Sequence, residues 1–309
     1  MDEAYFHLSQ EVITAIISDV PLVALESTVI SHGLPRPDNV ETARACEAAV
    51  RGARAVPATI AVLGGRVHIG LTGAELERLG AATDIVKLSI RDLPVALARG
   101  GNGATTVAST VYLASIASMD AEIEVFATGG IGGVHRGWGT TLDLSADLTM
   151  LAQTSMTVVC AGAKAILDLP ATREWLETAG ITVVGWRTDE FPAFYSRESG
   201  LGVDVRVENA AEAAAIIHAR RALGLPGTTL ICVPVPPEYA LPAQEVEAPI
   251  QAALDRATAL GVRGKALTPF LLSAVAEATY GRGLEANKAL LVQNARVAGE
   301  IAVALKQQG

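Results

Sequence analysis

The stretch Thr157-Val158-Val159-Cys160-Ala161-Gly162-Ala163-Lys164-Ala165-Ile166 decides the fold. Its first four residues are β-favouring and show no alternation of polar with apolar positions, so a strand there is buried on both faces. A strand of that kind belongs to a parallel sheet covered by helices on each side. The glycine and lysine that follow sit at the carboxyl end of the strand, where such sheets collect their chemistry.

Working outward, further strand-like runs fall at 22–26, 59–63, 85–88, 123–127, 182–184 and 229–233. Runs with helical spacing fall between them, at 39–50, 74–79, 94–99, 106–118, 146–153, 173–178 and 211–223. Thr72, Asp92 and Ser145 stand where helix N-caps are expected. Strand and helix thus alternate, which predicts an α/β fold with a mostly parallel central sheet. From Leu241 onward the pattern becomes helical, at 245–259, 269–279 and 284–305. No low-complexity linker precedes that part, so it is expected as a helical layer of one domain spanning 1–309.

Of the 309 residues, 50% are hydrophobic and 18% charged, which suits a large buried core and excludes a disordered chain. The net charge of -9 comes without a basic stripe, so no nucleic-acid partner is expected. Local cations and backbone amides can still bind one phosphate. The acidic start, Met1-Asp2-Glu3-Ala4-Tyr5, lacks a leader pattern, and no apolar run reaches membrane-span length. Cys46, Cys160 and Cys232 have no metal or disulfide spacing and are expected as apolar filler in a reducing, cytoplasmic setting.

Five segments can carry chemistry. Glu26 ends a strand and is followed by Ser27 and Thr28, a position suited to acid–base work. Lys87 leaves another strand with Arg91 close behind, a pair suited to phosphate. The Gly-rich loops 100–106 and 128–137 could bring backbone N–H groups to an anion, and the first opens a helix. Asp143 and Asp147 flank a helix start and together could hold a hard cation that keeps most of its waters. Lys164, set among Ala and Gly after an apolar strand, would be partly desolvated, which would free its amine as a nucleophile. Amine, carboxylic acid, anion cradle and hard-metal carboxylate together suggest imine chemistry on a sugar phosphate.

These segments carry a family resemblance. The stretches ALESTVISHGLPRP, IVKLSIRDLP, ATTVAST, TGGIGGVHRG, LDLSADL, VVCAGAKAILDLP, TDEFPAFYSRESG, TPFLL and LEANKALLVQNARVA resemble, in that order, the pseudouridine-5'-phosphate glycosidase (indigoidine synthase A-like) family. The resemblance runs from about Leu22 to the last helix. It implies a three-layer α/β/α sandwich, a homotrimer, and reversible cleavage of pseudouridine 5'-phosphate to uracil and ribose 5-phosphate. It places the nucleophile on Lys164, the proton donor on Glu26 and the metal ligand, usually for Mn²⁺, on Asp143. Substrate-binding positions fall on Lys87, Val107, Thr128, His135, Ser145, Ala146, Asp147 and Asn287.

Four positions depart from the family pattern: Trp138, the Val233-Pro234-Val235-Pro236 segment, Ala266 and Lys288. They raise a second expectation, a C-glycosynthase that attaches ribose 5-phosphate to an aromatic polyketide. A third reading, a non-catalytic sugar-phosphate binding protein, has no use for a paired nucleophile and acid.

Overall fold

The computed structural model describes residues 4–121 and 123–308; residues 1–3, where a leader was sought, lie outside them. Among the described residues there are eleven strands: β1 (Phe6–Leu8), β2 (Leu22–Leu25), β3 (Val56–Leu63), β4 (Arg66–Ile69), β5 (Val86–Leu88), β6 (Gly103–Thr105), β7 (Val125–Ala127), β8 (Thr157–Cys160), β9 (Thr182–Trp186), β10 (Val205–Val207) and β11 (Thr229–Cys232). They form one sheet in the order β1-β4-β3-β2-β7-β8-β11-β9-β10, with β6 pairing β3 and β5 pairing β6. The core path from β3 through β2, β7, β8, β11 and β9 to β10 is parallel throughout. Only the β3–β4 and β3–β6 pairs run antiparallel. The sheet is therefore mixed and mostly parallel, as the doubly apolar strands predict.

Helices cover both faces. The long α12 (Arg282–Gln308) packs on β2, β7 and β8 and against α2 (Asp38–Gly52) and α9 (Ala210–Ala222). On the opposite face α5 (Val107–Ala121) lies on β2 and β6 and packs against α7 (Ala146–Gln153). The remaining helices are α1 (Gln10–Ile17), α3 (Gly73–Ala81), α4 (Leu93–Ala98), α6 (Trp138–Thr141), α8 (Leu169–Thr178), α10 (Ala243–Ala259) and α11 (Leu267–Ala278). No helix among the described residues is long and apolar enough to cross a membrane. The three cysteines are buried and free, and burial pushes the Cys46 thiol up to about 12, so each behaves as a small apolar side chain.

The differences from expectation are local. Strands β1, β4, β6 and β10 are absent from the sequence-based pattern, because each has only three or four residues and most carry a charged or small one. The β3–β4 hairpin turns on Gly64 and Gly65, both at positive φ, a two-glycine turn flanked by β-favouring residues that does signal a hairpin. Thr72 and Ser145 cap their helices as expected, accepting from the Glu75 and Asp147 amides. Asp92 does not cap α4; its carboxylate turns back to accept the Ser89 N–H at 2.9 Å.

Candidate active site

Three adjacent central strands, β2, β7 and β8, deliver the site at their carboxyl ends. Glu26 follows β2, the Gly129–Gly130 backbone follows β7, and Lys164 follows β8 by four residues. Glu26 is 9% exposed, and each of its oxygens accepts a threonine hydroxyl, Oε1 from Thr128 and Oε2 from Thr28. Those two bonds fix the carboxylate in one orientation. The chain then makes a single π-helical turn over Val29–Gly33, a widened turn common at functional sites, which carries His32 to the same cavity. The Lys164 Nζ donates to the Gly130 carbonyl at 2.6 Å, which aims the amine at the space in front of Glu26.

Two compartments meet at Glu26, Thr28, Lys87, Lys164 and Thr268. The larger, about 510 Å³, is rich in cations and hydroxyls: Lys87, Ser89, Arg91, Thr106, Ser145 and Lys265 line it. Val107, His135, Asp143, Ala146 and Asp147 also face it. The smaller, about 70 Å³, is walled by Val29, Phe194, Pro269, Leu272 and Leu291, with Asn287 and His32 as its polar side chains. The first suits a phosphorylated, hydroxylated chain and the second a flat ring. His135 lines the larger compartment and Asn287 the smaller.

Burial and like charges shape the electrostatics. Burial holds Lys87 below the ordinary lysine range, and the Lys164 and Lys265 ammonium groups add to that, against Glu26 and Asp147. His135 is lowered first by burial, with Asp143 opposing and Lys164 and Lys87 reinforcing. His32 is lowered by burial and by Lys87; its Nδ1 lies 2.6 Å from the Ser31 hydroxyl. Both imidazoles are thereby biased toward the neutral form.

Several sequence-based assignments need correction. In the Gly-rich segment 128–137 several of the amides expected to face an anion are used within the protein. The Gly132 N–H goes to Asp147 Oδ2 at 2.8 Å, Ile131 N–H to the Gly162 carbonyl, and Val134 N–H to the Thr172 hydroxyl. Its glycines are there for close approach: a Cβ on Gly130 would stand 2.6 Å from the Phe194 ring, and one on Gly132 2.7 Å from Asp147 Oδ2. In segment 100–106, residues 103–105 are strand β6, and the helix start behind it already has a carboxylate, since Ala108 N–H donates to Asp147 Oδ1 at 2.9 Å. Asp147 is thus a buried brace with an amide on each oxygen, and the expected Asp143–Asp147 cation pair is divided. Thr128 is buried behind Glu26 and serves that carboxylate, lining neither compartment.

The implied metal can be tested against the donors present. Among the described residues no three His, Cys, Asp or Glu side chains converge on one point, so there is no protein cage. Asp143 faces the larger compartment with its side chain 39% exposed, and His135 Nδ1 lies 4.0 Å from Oδ2. One accessible carboxylate beside a phosphate compartment fits a hard divalent ion that keeps most of its waters.

The four departures from the family pattern lie largely outside these compartments. Lys288 points to Asp38 at 2.6 Å and Glu285 at 3.0 Å, Trp138 starts the short α6, and Val233 and Val235 are core. Ala266 borders the site, next to Lys265. The sequence did not single out His32, Phe194, Ser89, Leu272 or Leu291 as site residues; they lie in motifs of the resemblance, but only the packing of α11 and α12 brings them to one cavity.

The fold and site define an α/β protein with a lysine and a hydroxyl-clamped glutamate lining one polar cavity at the sheet's carboxyl edge, an arrangement of the kind found in enzymes. The model of the indigoidine synthase A like protein family matches residues 11–304, and this chain belongs to that family. It is 55% identical over 303 residues to a pseudouridine-5'-phosphate glycosidase of Caldanaerobacter subterraneus subsp. tengcongensis, covering 98% of this chain and 97% of the relative. A second glycosidase of that name, from Symbiobacterium thermophilum, is 55% identical over 300 residues, covering 96% of each. Among solved structures, the prealnumycin C-glycosynthase AlnA in complex with ribulose 5-phosphate is 43% identical with a TM-score of 0.89, covering 100% of this chain and 99% of that one. An indigoidine synthase A-like protein of Thermotoga maritima is 39% identical with a TM-score of 0.88, covering 98% and 97%.

Proposed function

We infer that this chain is an enzyme that breaks and makes the C–C bond between ribose 5-phosphate and an aromatic ring, with pseudouridine 5'-phosphate as substrate. The observation that carries this is the facing of Lys164 and Glu26 across the junction of a polar compartment and a ring-sized apolar one. Relatives that are 50–55% identical and bear the pseudouridine-5'-phosphate glycosidase name support the choice of substrate.

A C-glycoside has no leaving oxygen, so the two-carboxylate route of ordinary glycosidases does not apply. A proton passes from the Lys164 ammonium to the Glu26 carboxylate, which gives it to the ribose ring oxygen as the C1'–O bond opens, and the freed Lys164 amine adds to C1'. The nitrogen lone pair then forms the C=N bond of an imine as the C1'–C5 bond breaks. Its electron pair stays on the uracil carbon, which takes up a proton. Water hydrolyses the imine, releasing ribose 5-phosphate and restoring the Lys164 amine. Lys87 and Ser145 hold the open sugar phosphate in line, a positioning effect. Asp143 would hold a divalent ion such as Mn²⁺, whose charge would help neutralise the phosphate.

A second reading, C-glycosylation of a polycyclic acceptor, is favoured by the likeness to the prealnumycin C-glycosynthase. The small volume and tight apolar walls of the ring compartment favour a single ring. We also propose that the enzyme works in the cytoplasm as a homotrimer, which sedimentation of the purified protein checks directly.

The test is incubation with ribose 5-phosphate, Mn²⁺ and uracil followed by mass spectrometry. Pseudouridine 5'-phosphate is the expected product. A borohydride-trapped ribose 5-phosphate adduct on Lys164 without that product would redirect the search to other acceptors. Absence of both product and adduct would overturn the imine mechanism.

A further inference from the structure

One cation on the wall of the sugar-phosphate compartment has no role in the chemistry above. Lys265 lies in the turn over Gly264–Ala266 between α10 and α11, and with Gly264 and Thr268 it forms the side of the cavity opposite Ser145 and Asp147. Its ammonium group is 2.6 Å from Asp92 Oδ1, with the two side chains 38% and 20% exposed. Asp92 belongs to the fixed side of the cavity, the turn after β5, where its other oxygen holds the Ser89 N–H. The Lys265–Asp92 pair therefore ties the α10–α11 turn, on the compartment's wall, to the turn after β5. The base of the α10–α11 hairpin is anchored by buried Val246, Ile250, Leu271 and Val275, whereas its tip is tied to the turn after β5 by this pair.

A half-exposed ion pair is weak, and a phosphate dianion offers a lysine more charge and more acceptor oxygens than one carboxylate does. We propose that Lys265 is a phosphate ligand held in reserve: Asp92 parks it in the empty enzyme, and the phosphate of the sugar draws it across, closing the hairpin tip over the open chain. The charge of Lys265 already reaches the compartment, since it is one of the cations acting on Lys87. No bond to carbon changes in this exchange; one ion pair is replaced by another. The inference rests on the sugar-phosphate reading of the compartment.

The test is calorimetric titration of ribose 5-phosphate, and of ribose as the phosphate-free control, into wild type, Lys265→Ala, Asp92→Asn and the double variant, all with Mn²⁺. Asparagine keeps an amide oxygen for Ser89 N–H, so the turn is retained. Lys265→Ala is expected to weaken ribose 5-phosphate binding about tenfold. Asp92→Asn is expected to tighten it about threefold by freeing the lysine. The double variant should bind as weakly as Lys265→Ala alone, and ribose should not distinguish the four proteins. If Lys265→Ala binds ribose 5-phosphate as wild type does, or Asp92→Asn tightens binding equally in the absence of Lys265, the proposal is overturned. Failure of the wild type to bind ribose 5-phosphate would instead remove the underlying reading of the compartment.

Discussion

Replacing Thr128 by valine tests whether Glu26 works because it is clamped. The substitution keeps shape and β-branching, and removes only the hydroxyl that donates to Oε1. Thr128 is 2% exposed, so no bulk water can take the hydroxyl's place on the buried side of the carboxylate. The backbone of residue 128 is held independently, by its N–H to the Val159 carbonyl and by Asn294 Nδ2 on its own carbonyl at 2.8 Å. The loss therefore falls on the carboxylate. A hydrogen bond to a charged group is worth about 1.5–3 kcal/mol, so kcat/KM should fall about 10- to 150-fold. Uracil release from pseudouridine 5'-phosphate, followed chromatographically, measures it. Thr128→Ser, which restores a hydroxyl, should recover most of the loss. Wild-type activity in the valine variant, or an equal fall in the serine variant, refutes the clamp.

Lys164→Met should lower turnover by about four orders of magnitude or more and abolish the borohydride-trapped adduct; an adduct of undiminished yield places the imine on another amine. Lys87→Met should raise the thermal stability of the empty enzyme by about 0.5–2 kcal/mol while weakening substrate binding, because it removes a buried cation held near another. The pH dependence has a definite sign: with Lys87 depressed in the folded state, the unfolded chain binds the extra proton between that value and the ordinary lysine value. Stability contributed through Lys87 thus rises with pH across that window, and chemical denaturation of Lys87→Met at several pH values should show a flatter profile there. Asp143→Ala should weaken Mn²⁺ binding about tenfold or more by titration calorimetry; unchanged affinity would move the metal to other ligands.

Most of the sheet was legible because its central strands are buried on both faces, which leaves an unbroken apolar signature in runs such as 157–160 and 229–232. The peripheral strands were not, since Arg66–Ile69 and Val205–Val207 are only four and three residues long, although both alternate β-branched with polar side chains. Glu26, Lys87 and Lys164 could be singled out because a charge at the end of an apolar strand is costly without a purpose. Asp147 could not be told from Asp143, as both flank the same helix start; only the fold shows that one faces inward to two amides. The ring compartment was hidden for a different reason. Its walls, Val29, Phe194, Leu272 and Leu291, are ordinary apolar residues whose convergence is a tertiary fact.

The division of labour between sheet and late helices has a consequence for how such an enzyme diversifies. Glu26, the Gly130 carbonyl and Lys164 are set by three neighbouring strand ends, where close-fitting glycines tolerate almost no change. Leu272 is carried by α11, which stands away from those strand ends, whereas Asn287 and Leu291 sit on α12, which packs on β2, β7 and β8. The wall contributed by α11 can therefore vary at little cost to the strand-end residues, whereas a change on α12 is felt by both at once.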